Sequence, residues 1–157
     1  MGSTLIVDNI QGATAASNVK MPAGHVVQTV TFTDDTAQTI TATSYTKSNL
    51  KLSITPKYST SKIFVVATFS AYVSTSGQSS YFAMYRDTTN LTDPQAFRLE
   101  SNGGTWFGPA SISLVDSPST TSSTEYSVQL RSQTNSLSTN IGLSASDGCI
   151  TAMEIAQ

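Results

Sequence analysis

The chain of 157 residues contains one cysteine, one histidine and one tryptophan, and only 11% of its residues are charged. Each shortage excludes something. A single thiol, Cys149, cannot close an intrachain disulfide, so no disulfide framework holds this fold. An ordinary soluble domain carries about 25% charged residues. Here the 8 Lys+Arg are scattered and the net charge is -2, which leaves no basic stripe for nucleic acid. No run of about 18 apolar residues exists to span a bilayer, and no membrane insertion is expected. The opening Met1-Gly2-Ser3-Thr4-Leu5-Ile6-Val7-Asp8 lacks the basic n-region of a signal peptide.

The same scarcity removes most catalytic constellations. A Ser-His-Asp triad would have to use His25, with Asp34 or Asp35 orienting it, and nothing resembles a nucleophile elbow. A metal site needs clustered His, Cys or carboxylates, and Asp34-Asp35 lacks the spacing of a calcium loop. Gly103-Gly104 is not followed by the Lys-Ser/Thr pair of a phosphate-binding loop. Cys149 sits beside Ile150 and reads as a small buried hydrophobe rather than a nucleophile. The expectation is a protein that is not an enzyme, with no catalytic residue, metal or cofactor.

Hydroxyl side chains fill the space that charge leaves. Ser and Thr are the two commonest residues. Thr suits the pleated surface of a strand and Ser suits turns. Apolar runs recur along the chain, which excludes mucin-like disorder. Leu50, Leu52 and Ile54 alternate with polar partners and stop at Pro56. From Ile63 to Val73, Ile63, Val65, Ala67, Phe69, Ala71 and Val73 share one face, and Phe64, Val66 and Tyr72 lie on the other. Apolar residues on both faces predict a central strand covered twice. Tyr126, Val128 and Leu130 alternate with Glu125, Gln129 and Arg131, and Ile150 to Ile155 forms the last strand. Asn90 to Pro94 reads as a loop. Eight to ten strands between turn signals predict an all-β chain over 24–157, with the spacing expected of a sandwich or a barrel.

Residues 1–23 read as a short extended leader. It has too few apolar residues to fold alone. Leu5, Val7, Ile10, Val19 and Met21 are its candidate anchor and assembly residues, each stabilising by roughly 1.5–3 kcal/mol if buried against a neighbour. Trp106 and Phe107, after the Gly103-Gly104 turn, are candidate ligand or receptor contacts. The competing reading makes Trp106 a cap on the end of the sandwich.

Several fragments carry a resemblance. Ser3-Thr4-Leu5-Ile6-Val7-Asp8-Asn9-Ile10-Gln11 and Met21-Pro22-Ala23-Gly24-His25-Val26-Val27-Gln28 open the chain. Leu52-Ser53-Ile54-Thr55-Pro56, Ser61-Lys62-Ile63, Tyr85-Arg86-Asp87 and Leu114-Val115-Asp116-Ser117-Pro118 follow, and Ile150-Thr151-Ala152-Met153-Glu154-Ile155-Ala156-Gln157 ends it. In this order and coverage the chain resembles tail-fibre-like virion structural proteins of marine and freshwater bacteriophages, notably cyanophages. The resemblance implies an antiparallel, jelly-roll-like β-sandwich, a homotrimer and a place on the virion after assembly in the bacterial cytoplasm. The partners it implies are other virion proteins of capsid or tail, and a host-surface glycan. Many members are longer, with the sandwich ending a fibre. The little sequence before this domain favours a short spike or a capsid decoration (cement) subunit. A receptor- or glycan-binding module is the alternative. Asp87, Asp93, Glu100 and Asp116 are the carboxylates a glycan hydrolase would pair. Polysaccharide-cutting spikes usually build long β-helices, for which this chain is too short.

Overall fold

The computed structural model describes residues 22–74, 77–92, 97–135, 138–142 and 148–157. The leader residues Leu5, Val7, Ile10, Val19 and Met21 lie outside them. Eleven strands run in chain order through the described residues. They are β1 (Val26–Asp34), β2 (Gln38–Ile40), β3 (Thr46–Ile54), β4 (Lys62–Val73), β5 (Ser79–Arg86) and β6 (Thr89–Asn90). The chain continues with β7 (Phe97–Glu100), β8 (Trp106–Asp116), β9 (Thr124–Ser132), β10 (Thr139–Ile141) and β11 (Gly148–Ile155).

Two antiparallel sheets pack against each other. In the first, β1 pairs with β11, β11 with β4, and β4 with β8. Beyond the end of β11, β10 takes over the same edge of β4 and carries β2 outside it. In the second, β3 pairs with β9 and β9 with β5, while β6 and β7 share the remaining edge of β5. Every ladder is antiparallel, so the architecture is an all-β, two-layer sandwich.

Alternation builds the layer between the sheets. In β4 the row Ile63, Val65, Ala67, Phe69, Ala71 and Val73 is buried, as its period of two predicts. Leu50, Leu52 and Ile54 of β3, Phe82 and Met84 of β5, and Tyr126, Val128 and Leu130 of β9 face that row from the other sheet. Phe69 and Phe82 meet across the gap with ring centroids 5.2 Å apart. The ladder between β3 and β9 slips: Lys47 pairs with Gln129, but the next pair is Lys51 with Ser127. Ser48 repairs the gap. Its hydroxyl donates to the Val128 carbonyl at 2.6 Å and accepts from the Leu50 amide at 3.2 Å, so neither buried backbone group is stranded.

Polar struts join the layers at both ends. At one end, Asp116 of β8 takes a two-oxygen contact from Arg86 Nη1 of β5, each at 2.9 Å, and a 2.7 Å bond from the Tyr126 hydroxyl of β9. At the other end, Thr139 of β10 is bonded to the hydroxyls of Ser80 (β5) and Ser132 (β9). Three details depart from the sequence pattern. Strand β6 lies where a loop is expected, because Asn90 and Thr89 pair with Tyr85 and Arg86 in a tight hairpin. Strand β8 begins at Trp106, soon after the Gly103-Gly104 turn, because β4 is long enough to pair with it throughout. Cys149 is half-buried and opposite Thr33 and Thr68, because Gly148 and Ile150 take the inward positions.

Candidate functional site

The broad surfaces of this molecule are the two outer sheet faces, and they differ in charge. Residues opposite one another in a ladder share a face, so the register assigns each side chain. On the first sheet, Phe64 of β4 faces outward between Met153 of β11 and Val115 of β8. Val66 lies between Thr151 and Ser113, and Thr68 between Cys149 and Ser111. Further along, Ser70 pairs with Pro109 and Tyr72 with Phe107. Val26 and Ile155 close one corner. Three of these side chains are large, apolar and mostly exposed: Phe107 at 69%, Val115 at 56% and Val26 at 53%. Phe64, Val66, Tyr72, Met153 and Ile155 are half-buried. An open hollow of about 340 Å³ lies over Thr68, Ser70, Pro109 and Ser111. Lys62, paired with Ile155 at the strand end, is the one charged residue that the register of the described residues puts on this face.

On the second sheet the outward positions are charged. Lys47, Lys51, Glu125 and Arg131 come from β3 and β9, and Arg98 and Glu100 from β7. Glu125 pairs with Lys47 and lies 3.9 Å from Lys51, and Arg98 contacts Glu100 at 2.6 Å. The Arg131 guanidinium lies 3.8 Å above the Tyr81 ring and 5.4 Å from that of Tyr45. Tyr45 in turn lies 5.7 Å from Tyr85. Ala83, between Tyr81 and Tyr85 on β5, and Ser127, opposite Tyr85, are 0% exposed although they face outward. The hydroxyls of Tyr45 and Ser127 are buried there without a hydrogen-bond partner.

Trp106 and Phe107 are adjacent in a strand and therefore point to opposite sides. Phe107 joins the uncharged face beside Tyr72. Trp106 lies at the end of the sandwich, packed so closely on Gly108 that a Cβ there would come within 2.9 Å of the indole. The two side chains are not brought together on one surface. His25 is exposed, with its ring Nδ1 3.1 Å from the Pro22 carbonyl. The Asp34 carboxylate accepts the Thr36 amide in a local turn. The described candidate hydrolytic carboxylates are each engaged in contacts of the fold. Asp116 is held by Arg86 and Tyr126, Glu100 by Arg98 on the opposite layer, and Asp87 accepts the Glu125 amide. Asp93 lies outside the described residues. Among the described residues no group of three or more His, Cys, Asp or Glu could hold a metal, and no helix is long and apolar enough to cross a membrane.

Two groups escape sequence reasoning. Glu154, on the last strand, is fully buried and accepts from Gln28, Ser61 and the amides of Lys57 and Tyr58. Tyr126 has its phenol pushed above the usual tyrosine range, first by burial and then by the bond it donates to Asp116. Both lie in alternating segments that look like ordinary strand, and their partners are distant in sequence. No family model matches the chain, and no curated protein matches it.

Proposed function

We propose that this protein is a structural subunit of a bacteriophage particle, working as a homotrimeric short fibre, spike or capsid decoration protein rather than as an enzyme. The observation that carries the reading is the strand order. Two short strands extend two longer ones along the first sheet: β2 continues the line of β1, and β10 beside it continues the line of β11. Likewise β6 and β7 share one edge of β5. Counting each such pair as a single strand gives eight, ordered 1-8-3-6 in one layer and 2-7-4-5 in the other. We read that order as supporting a jelly roll, the double Greek key found in viral capsid and lectin domains. Fold alone does not assign function. The resemblance to phage tail-fibre-like proteins supports the particle, and the leader residues Leu5, Val7, Ile10, Val19 and Met21, too few to fold alone, would attach the subunit to other virion proteins. Peptide mass spectrometry of gradient-purified particles from the encoding phage tests this. The chain is expected among the stoichiometric particle proteins, and its restriction to the soluble lysate would refute the reading.

A second reading, a host-glycan-binding module, draws on the indole of Trp106, 36% exposed at the end of the sandwich. It predicts glycan-array binding that disappears in Trp106→Ala.

A further inference from the structure

We infer that the uncharged outer face of the first sheet, centred on β4 and β8, is where a second copy of this chain docks. The inference rests on the multimeric subunit proposed above and adds the surface and the chemistry of the contact.

Three observations converge on it. First, β4 is apolar on both sides, a pattern that belongs to a strand covered twice. Among the described residues only one side is covered: Val65 and Ala67 are 0% exposed, whereas Phe64, Val66 and Tyr72 stay half-open on the other. Second, the most exposed of the large apolar side chains described on the sheet, Phe107 and Val115, stand near the two ends of β8 and rim that same side. Scattered apolar residues need no explanation, but a contiguous patch marks an interaction site. Third, the face spans four strands and β4 is 12 residues long. With strands about 4.8 Å apart and about 3.3 Å per residue, its projected area is roughly 700 Å². A standard interface takes about 800 Å² from each partner.

Charge selects the occupant. Foreign partners are commonly registered by complementary charge, and this face offers almost none. A rotationally symmetric assembly brings the same residues of each copy together near its axis. Any charge there would meet its own likeness, which costs several kcal/mol. A face whose sole cation, Lys62, sits at a strand end, on a molecule whose other face carries charges of both signs, suits self-association. The hollow over Ser70 and Pro109 gives room for an aromatic side chain such as Phe107 of the neighbouring copy.

The test uses the full chain and three lysine substitutions at exposed strand positions. Ser113→Lys and Val115→Lys place a cation on the proposed face, and Ser53→Lys places one on the other sheet. Sedimentation velocity over a dilution series reads association, and circular dichroism melting checks that each variant folds. The unaltered chain and Ser53→Lys are expected to associate alike. Ser113→Lys and Val115→Lys are expected to fold and to associate at least about a hundredfold more weakly. Association that survives both face variants and is lost in Ser53→Lys overturns the assigned face while leaving a multimeric subunit intact. A single-copy unaltered chain at every concentration overturns the docking itself. Particle mass spectrometry then separates that failure from failure of the virion reading. If both face variants misfold, hydroxyl-radical footprinting of the unaltered chain decides: protection of Val115 and Phe107 supports the contact, and oxidation of both as in an unfolded control overturns it.

Discussion

Replacing Glu154 by alanine should remove a large part of the stability of this fold. The Glu154 side chain is 0% exposed and lies among four donors. Gln28 Nε2 approaches at 2.6 Å, Ser61 Oγ at 2.7 Å, the Lys57 amide at 2.8 Å and the Tyr58 amide at 3.2 Å. It thereby ties β11 to β1 and to the turn between β3 and β4. Alanine strands the donors unequally. Gln28 keeps its bond to the Thr55 carbonyl, and the Ser61 hydroxyl can rotate. The two amides belong to a part-buried turn and have no such freedom. A stranded buried donor costs about 1–3 kcal/mol. Two amides together with the lost side-chain packing give about 3–5 kcal/mol, against a typical total of about 5–15 kcal/mol. Glu154→Gln keeps one carbonyl oxygen for the amides and should cost only about 1–2 kcal/mol. Urea unfolding followed by circular dichroism measures both, at one fixed protein concentration because association shifts apparent stability. Glu154→Ala within about 0.5 kcal/mol of the unaltered chain would refute the reasoning, since surface substitutions fall in that range.

Further outcomes follow from the interior. Tyr126 holds its proton more tightly folded than unfolded, so an ultraviolet titration compared with that of Tyr126→Phe should show its phenol resisting ionisation. The sign follows from linkage: the group adds no pH dependence below the unfolded pKa of about 10, and stability falls as pH rises above it because only the unfolded chain loses that proton. Tyr126→Phe should abolish this alkaline slope and cost about 1–2 kcal/mol at neutral pH, read by urea unfolding at both pH values. Gly108→Ala places a methyl within 2.9 Å of the Trp106 ring. The indole should swing toward water, with a red-shifted emission from the sole tryptophan and a stability change of only about 1 kcal/mol.

Much of the sandwich is legible in the sequence, and the reason is local. The periods of β3, β4 and β9 specify which side chains turn inward, because burial imposes a two-residue repeat on any half-covered strand. What escapes local reading depends on partners. The hairpin residues Thr89 and Asn90 are polar and short, and only their pairing with β5 makes them a strand. The bulge at Ser48 follows from the register with β9, which no window of β3 contains. Trp106 follows two glycines and looks like loop, until the full length of β4 draws it into the ladder. The candidate face is half legible: the doubly apolar β4 announces a second cover, but the uncharged surface emerges only when β8, β4, β11 and β1 lie side by side. Cys149 shows the same limit. Its neighbour Ile150 suggests the core, and a register of one residue puts the thiol on the outer face instead.

That thiol offers the most direct measurement of whether the face is covered. Cys149 is the only cysteine and lies on the outer face between Thr33 and Thr68. Its alkylation rate by a maleimide should be set by access. Copies docked on β4 and β8 predict alkylation of the native, unaltered chain at least about tenfold slower than of folded Ser113→Lys at the same concentration and pH. Equal rates in the two proteins would mean that nothing covers the face, and would contradict the account.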